Sequence, residues 1–330
     1  MTECDILIIG AGPVGTLSAL LLAKQGRRVI IIDREPAIIN SPRAIVYLPQ
    51  SLGSLKAAGI LDDVCAAGLV MKTGVGWRHV SDHKLVAHID PFALHADDNP
   101  QPAILLGQHL LINIIAKHLQ NYGVEIRYNH TFQNLRQENN KVIVMANDTE
   151  FTSSFVIGAD GSRSAVRKAL GIEFEGFTHP LNFMAVNFRY AKIKTTGFNE
   201  AQFIMDPQEK VEDANFAVIL QTGSGDVWRC AYGDADKFSD EELKALPHTT
   251  RLHGLVQSLS GLASSYARRD IYGEQQRYNS GKLSQQREQQ ARNADGSNDH
   301  TGRNAIAVTG QNDNDDLYRK IAQGEYTHGK

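Results

Sequence analysis

The stretch CDILIIGAGPVGTLSALLLAKQGRRVIIIDRE, residues 4–35, limits the fold of this 330-residue chain more tightly than any other. An apolar run from Ile6 to Ile9 reads as a buried strand, and Gly10, Gly12 and Gly15 follow it in the order G-x-G-x-x-G. A helical pattern then runs to Gly26, a C-cap residue, and a second apolar run, Val29 to Ile32, ends on Asp33. Each glycine has a physical task. Gly10 permits a tight turn out of the strand, Gly12 lets a pyrophosphate approach the backbone, and Gly15 allows the helix to lie close to the strand. The helix N-terminus offers unpaired N–H groups and a partial positive charge to phosphates, and Asp33 can accept hydrogen bonds from both hydroxyls of an adenosine ribose. This βαβ unit predicts a site for an ADP-containing dinucleotide and does not separate FAD from NAD.

A second stretch, FVIGADGSRSAVRKAL at residues 155–170, repeats the grammar of strand, small-residue turn and helix around one acid, Asp160. On its own Asp160 also reads as the acid of an Asx-turn that steadies its own loop. Two more segments bear on the question. SPRAIVYLPQSLGSLKAAGILDDV, residues 41–64, carries a Pro-Arg-Ala turn and a helix ending in Gly-Ile, and LLGQHLLINIIAKHL, residues 105–119, holds a helix that begins at Gln108.

With the glycine loop, these segments resemble the class A flavoprotein monooxygenases, the para-hydroxybenzoate hydroxylase-like aromatic hydroxylases, over roughly residues 4–275. The resemblance implies an α/β protein, α+β overall, with a Rossmann-like FAD-binding domain and an adjacent, mostly antiparallel β-sheet substrate domain. It implies FAD as cofactor and NAD(P)H as co-substrate. The cofactor-binding residues it implies are Gly10, Gly12, Pro13, Gly15, Asp33 and Arg34 at the first motif, with Arg43 beside the flavin and Gln108 reaching toward it. At the second motif they are Asp160, which assists both flavin and NAD(P)H pyrophosphate binding, Gly161, and Arg167 nearby. The implied reaction is hydroxylation of an electron-rich aromatic ring, a phenol, with dioxygen, a chemistry common in secondary metabolism. No general base stands out.

The expected organisation is a discontinuous FAD-binding domain over 1–72 and 101–178, a β-sheet substrate region over 73–100 and 179–273, and a polar tail over 274–330. WRHVSDHKLVAHID, residues 77–90, alternates like an edge strand, and the spacing of His79, His83 and His88 matches no metal motif. Residues 124–146 read as two strands around a polar turn at Glu138–Lys141. Strands LNFMAVNFRYAKI, AQFIMDP, FAVILQT and DVWRCAYG follow, the last two joined by a hairpin signal at Gly223-Ser224-Gly225-Asp226. Ser239 and Glu242 form a capping box for a later helix. In the resembled family this sheet walls the substrate pocket; Met184, Asn187, Phe203, Met205, Val218 and Trp228 are the candidates here, each also readable as plain sheet core.

From residue 274 only 13 of 57 residues are hydrophobic, against 42% for the chain, so the tail is expected to lack stable order. The resembled family has a third flavin motif here, a strand, Gly-Asp and a Pro- and Gly-rich loop. AIAVTGQ at 305–311 resembles the strand and glycine but carries Gln311 in place of the acid, and the loop is missing. Tyr232–Asp236, YGDAD, contains Gly-Asp but lies between a strand and a capped helix, and is rejected as that motif. The chain therefore resembles a shortened family member. A nucleotide-binding remnant without a complete flavin site, or a flavin-dependent reductase or oxidase without oxygen insertion, stand as alternatives.

A net charge of −3 gives no electrostatic case for nucleic acid or an anionic membrane. Cys4, Cys65 and Cys230 are far apart, the strand starts within five residues of Met1, and the most apolar helix is broken by Lys24. These features predict a cytoplasmic protein; a small aromatic substrate as its partner is what the resemblance implies.

Overall fold

A computed structural model describes residues 2–79, 84–89, 102–176, 182–189, 200–205, 216–223, 227–234, 273–276 and 307–309. The chain divides into two units, one of Met1–Ala67, Gly107–Glu175 and Ser297–Lys330, the other of Gly68–Leu106 and Gly176–Gly296.

The first passage through unit one builds β1 (Thr2–Ile9), α1 (Pro13–Lys24), β2 (Val29–Ile32), β3 (Val46–Tyr47), α2 (Pro49–Ala58) and α3 (Leu61–Ala67). Proline opens α1 and α2 at a position where its missing N–H costs nothing. Helix α2 stops at Gly59, whose φ of 76° lets the Ile60 N–H reach back to the Leu55 carbonyl at 3.0 Å. In unit two the chain then forms β4 (Leu69–Val70), β5 (Val75–Arg78), β6 (Leu85–Ile89) and β7 (Ile104–Leu105). Back in unit one come α4 (Gln108–Gln120), β8 (Glu125–Arg127), β9 (Phe132–Glu138), β10 (Lys141–Ala146), β11 (Thr149–Gly158) and α5 (Ala165–Ala169). Unit two is completed by β12 (Asn182–Arg189), β13 (Ala201–Met205), β14 (Phe216–Gln221), β15 (Val227–Asp234) and β16 (Gly273–Gln276), and β17 (Ala307–Thr309) returns to unit one.

Unit one is a Rossmann-like sheet in the order β8-β2-β1-β11-β10-β9, with β17 also on β11. Strands β8, β2, β1 and β11 run parallel, and β10 and β9 add an antiparallel meander. Leu7, Ile8, Ile31 and Ile32 have no exposed surface, which explains the apolar runs Ile6–Ile9 in β1 and Val29–Ile32 in β2: these parts of the strands are covered on both faces. Asn139 and Asn140, at φ 46° and 62°, make the β9–β10 turn; asparagine tolerates this left-handed pair better than most residues. Helix α1 packs against α4 and α2.

Unit two is a sheet in the order β16-β12-β15-β14-β13-β5-β6, antiparallel except for β13 on β5. The alternating stretch at 77–90 contributes to two strands rather than one, with the register shifting at Trp77/Arg78 and β6 at the sheet edge. Met71, Ala103, Leu105 and Ala201 form a small core, and Glu200 accepts from the Lys72 and Thr73 N–H groups at 2.9 and 3.0 Å.

Within the polar stretch from 274, two pieces are strands. β16 pairs with β12 and β17 pairs antiparallel with Val156–Gly158, because backbone pairing at a sheet does not require apolar side chains. Gln311 and the capping box at Ser239 and Glu242 lie outside the described residues. Gly233 and Asp234 are inside β15, paired with Phe183 and Asn182, in keeping with their rejection as a flavin motif. Among the described residues no helix is long and apolar enough to cross a membrane.

Candidate dinucleotide site

The site begins where β1 ends. Gly10 has φ +113°, and a Cβ there would collide with the carbonyl of Ala159; a Cβ on Gly15 would collide with the carbonyl oxygen of Gly10. Gly12 differs from both: nothing lies within 4 Å of the position its Cβ would take. The first and third glycines are thus demanded by the protein's own packing, and the second faces open space. Pro13 follows Gly12 at the start of α1, where no side chain caps the helix and no acid occupies its first turn. The N-terminal N–H groups and their partial positive charge are left for an anionic ligand.

Asp33, at the end of β2, faces this loop. Its Oδ2 accepts from the Ala11 N–H at 2.5 Å and its Oδ1 from the Glu35 N–H at 2.8 Å. An ionised carboxylate has about four lone-pair sites, so capacity remains for ligand hydroxyls. Arg34 is exposed and lies 3.5 Å from Glu35. Tyr128, just past β8, is a residue the sequence reading missed. It lies between Arg127, whose carbonyl accepts from the Asp33 N–H at 2.9 Å, and His130, whose N–H donates to the Asp33 carbonyl at 2.8 Å, and burial and the Asp33 charge both push its phenol pKa up. Only the pairing of β8 with β2, between segments nearly a hundred residues apart, reveals it.

The second turn meets the first. β1 and β11 run side by side with Ile9 opposite Gly158, and the Ala159 N–H donates to the Ile9 carbonyl at 2.7 Å. Gly10, Gly15 and Ala159 are therefore in one place. Asp160 turns to its own loop: Oδ1 accepts from Ser164 Oγ at 2.5 Å, and Oδ2 from the Ala165 and Val166 N–H groups at 2.6 and 3.2 Å. Gly161 takes φ +85° with open space around its Cβ position. Arg167 is buried, donates to the Ser162 carbonyl at 2.9 Å and lies 4.6 Å from the Phe174 ring centre. Asp160 caps α5 and Arg167 braces the loop, so both shape the turn through its backbone.

A second corner forms around Arg43, whose φ of +44° is a left-handed conformation that costs on the order of 1 kcal/mol for a residue with a side chain. The Gln108 N–H holds this turn, donating to both the Pro42 and Ala44 carbonyls at 2.8 and 2.9 Å. Three buried polar atoms in this part of the unit, Ser41 Oγ, Tyr47 Oη and His109 Nδ1, have no hydrogen-bond partner within the protein. Burial pushes the Tyr47 phenol pKa up and the His109 imidazole pKa down.

In unit two the register sorts the candidate wall residues. Asn187 opposes Arg229, Arg229 opposes Leu220, and Val218 opposes Phe203, so Asn187, Val218 and Phe203 share one face. Trp228, one residue from Arg229, is on the other face and only 1% exposed, so it is core and cannot belong to the same wall. Phe203 stacks on Trp77 at 5.8 Å, and Arg229 donates to Asn187 Oδ1 at 3.2 Å. The side chains of Met184 and Met205 lie outside the described ones. Burial pushes the Cys4 and Cys230 thiols up to about 11 and about 12, which makes them poor nucleophiles. Of the three histidines, His79 and His88 are described and His83 is not; among the described residues no cluster could hold a metal.

Comparison with known proteins matches residues 3–281 to a family described as FAD binding domain. Para-nitrophenol 4-monooxygenase of Pseudomonas sp. strain WBC-3 is 32% identical over 244 residues, covering 72% of this chain and 58% of the relative. The 6-hydroxy-3-succinoylpyridine 3-monooxygenase HspB of Pseudomonas putida is 34% identical over 233 residues, covering 69% of this chain and 57% of the relative. The chain thus spans less than two thirds of the length of these relatives. The crystal structure of p-nitrophenol 4-monooxygenase PnpA from Pseudomonas putida superposes with a TM-score of 0.71 at 28% identity, covering 83% of this chain and 68% of that one. A ternary complex of aklavinone-11 hydroxylase with FAD and aklavinone shares the fold, with a TM-score of 0.66 at 23% identity, covering 83% of this chain and 54% of that one.

Proposed function

The chain belongs to the FAD-binding-domain family, and from that premise we propose that it acts as an FAD-dependent monooxygenase that hydroxylates a phenolic small molecule with NAD(P)H and dioxygen. The observation that carries the reading is the contact between the Gly10–Gly15 loop and the Ala159 turn at the ends of two adjacent parallel strands. Ligands of open α/β sheets bind at such strand ends.

The residues fit the cofactor. Gly12 leaves room at an uncapped helix terminus for a pyrophosphate, and Pro13 opens that helix without adding a competing N–H. Asp33 retains lone pairs for ribose hydroxyls, with Arg34 next to it. Ser41 Oγ and His109 Nδ1 are polar atoms still in need of partners, beside the corner where Arg43 and Gln108 would meet the flavin side. Asp160 and Gly161 hold the second turn in its shape, and Arg167 acts on that loop from behind.

Bound FAD would supply hydride acceptance from NAD(P)H and activation of dioxygen. The chain's part is to bind and orient the dinucleotide and to offer an aromatic-lined sheet face, Phe203 on Trp77, for a planar substrate. The substrates named for the relatives, a nitrophenol and a hydroxypyridine, support a small phenol-like ring. Three free thiols suit a reducing cytoplasm.

The test is to follow NADH and NADPH oxidation by the FAD-supplemented protein across a panel of phenols, and to look for oxygen from labelled dioxygen in the product. Substrate-stimulated oxidation with label incorporation is expected. Oxidation without incorporation would replace hydroxylation by a reductase or oxidase reaction, and neither would leave a nucleotide-binding protein.

A further inference from the structure

We propose that His109 is the positioning residue for the Arg43 turn, setting the conformation in which that turn meets the flavin. The inference rests on the reading just given. It draws on a feature the motifs did not single out, the side chain that follows Gln108 at the start of α4.

Arg43 is held in a left-handed conformation that a residue with a side chain adopts only when its surroundings impose it. Two contacts from α4 bear on it. The Gln108 N–H binds the carbonyls on either side of Arg43, which fixes the chain on both flanks. The second contact is steric. A Cβ on Gly107 would lie 2.7 Å from His109 Cε1, 2.9 Å from His109 Nδ1 and 3.3 Å from the Pro42 Cα. The imidazole and the start of the turn thus border the same space beside the α4 N-cap. Gly107 has ordinary extended-type angles, φ −57° and ψ 134°, so glycine is not needed there for its backbone freedom. A side chain there would instead press on the His109 ring and displace it.

The ring is suited to remain neutral. It is at the positive end of a helix of 13 residues, and burial lowers its pKa, with the nearby Ser41 backbone opposing in part. Ser41 adjoins Pro42, and its Oγ is 99% buried at residue level and lacks a partner, as does His109 Nδ1. The corner therefore presents polar atoms beside a turn whose shape depends on one ring.

The experiment is a double-mutant cycle on the full chain: Gly107→Ala, His109→Ala and both together, with FAD affinity read by flavin fluorescence quenching and the bound spectrum recorded. Each single change is expected to weaken FAD binding by about tenfold and to alter the visible band of bound flavin. The double variant should bind FAD better than the product of the two losses, because removing the ring makes room for the new methyl group. His109→Asn, which keeps a planar polar group at the Nδ1 position, should restore most of the affinity and the wild-type band. Losses that multiply in the double variant, or single variants that lower thermal stability while binding FAD as wild type does, overturn the proposal. Should Gly107→Ala fail to fold, the comparison of His109→Asn with His109→Ala decides: recovery in Asn supports it and equal loss overturns it. Wild-type protein that takes up no FAD removes the parent reading and this inference together, whereas wild-type binding with unresponsive variants removes only the inference.

Discussion

A methyl group on Gly15 would run into the carbonyl oxygen of Gly10, and that oxygen belongs to the same turn that touches Ala159. Gly15→Ala should therefore push α1 off β1 and disturb both turns at once. The expected result is a stability loss of roughly 1–3 kcal/mol, typical of overpacking, together with loss of FAD uptake, measured by urea denaturation and flavin titration. Asp160 makes a different case at the same scale. Its carboxylate accepts three hydrogen bonds from its own loop and helix, so Asp160→Ala should cost about 1–2 kcal/mol by the same denaturation measurement, as loss of a helix cap does. FAD should bind more weakly to this variant, since the turn loses its brace, but affinity should not vanish as it does when the glycine loop is blocked.

The elements show which parts of the fold could be read from the chain and which could not. The inner half of β1 and all of β2 were legible because a stretch buried on both faces must be apolar throughout, and α2 because Pro49 and Gly59 mark its ends. Leu7, with no exposed surface in the middle of β1, gives the corresponding prediction: Leu7→Ala should cost about 2–5 kcal/mol, read from the denaturation midpoint. The contact of the two turns was legible as motif order, yet its mechanism, the Ala159 N–H on the Ile9 carbonyl, needs the pairing of β1 with β11. Tyr128 and His109 were not legible. One depends on β8 lying beside β2, the other on a steric stack that leaves no periodic trace. The wall candidates could be sorted only by register: Asn187, Val218 and Phe203 share one face, and Trp228 falls on the other as core. The strand at 273–276 carries too little apolar pattern to signal itself, whereas the one at 307–309 falls inside AIAVTGQ, the stretch that resembles the strand of the third flavin motif.

On the acid side of neutrality, three groups push stability in one direction with pH. The Asp5 carboxylate is held below its ordinary value of 3.8 by the Arg28 backbone N–H and guanidinium, and Glu125 below 4.5 by Arg127. Such groups stabilise the fold above their unfolded values and lose that contribution as pH falls through the folded ones. His109, lowered from 6.5 by burial, acts earlier. Below pH 6.5 the unfolded chain binds a proton that the folded chain resists, so stability falls as pH falls. Thermal melts should show a decline beginning near pH 6.5 and steepening below about pH 4.5. His109→Gln should flatten the first part and leave the second. FAD uptake by this chain depends on the two turns forming one seat. The most direct test is to mix the purified chain with FAD, remove free flavin by gel filtration and record the absorption spectrum. A band at roughly 450 nm in near-equimolar amount, abolished in Gly15→Ala, is predicted. A colourless wild-type protein would contradict the account.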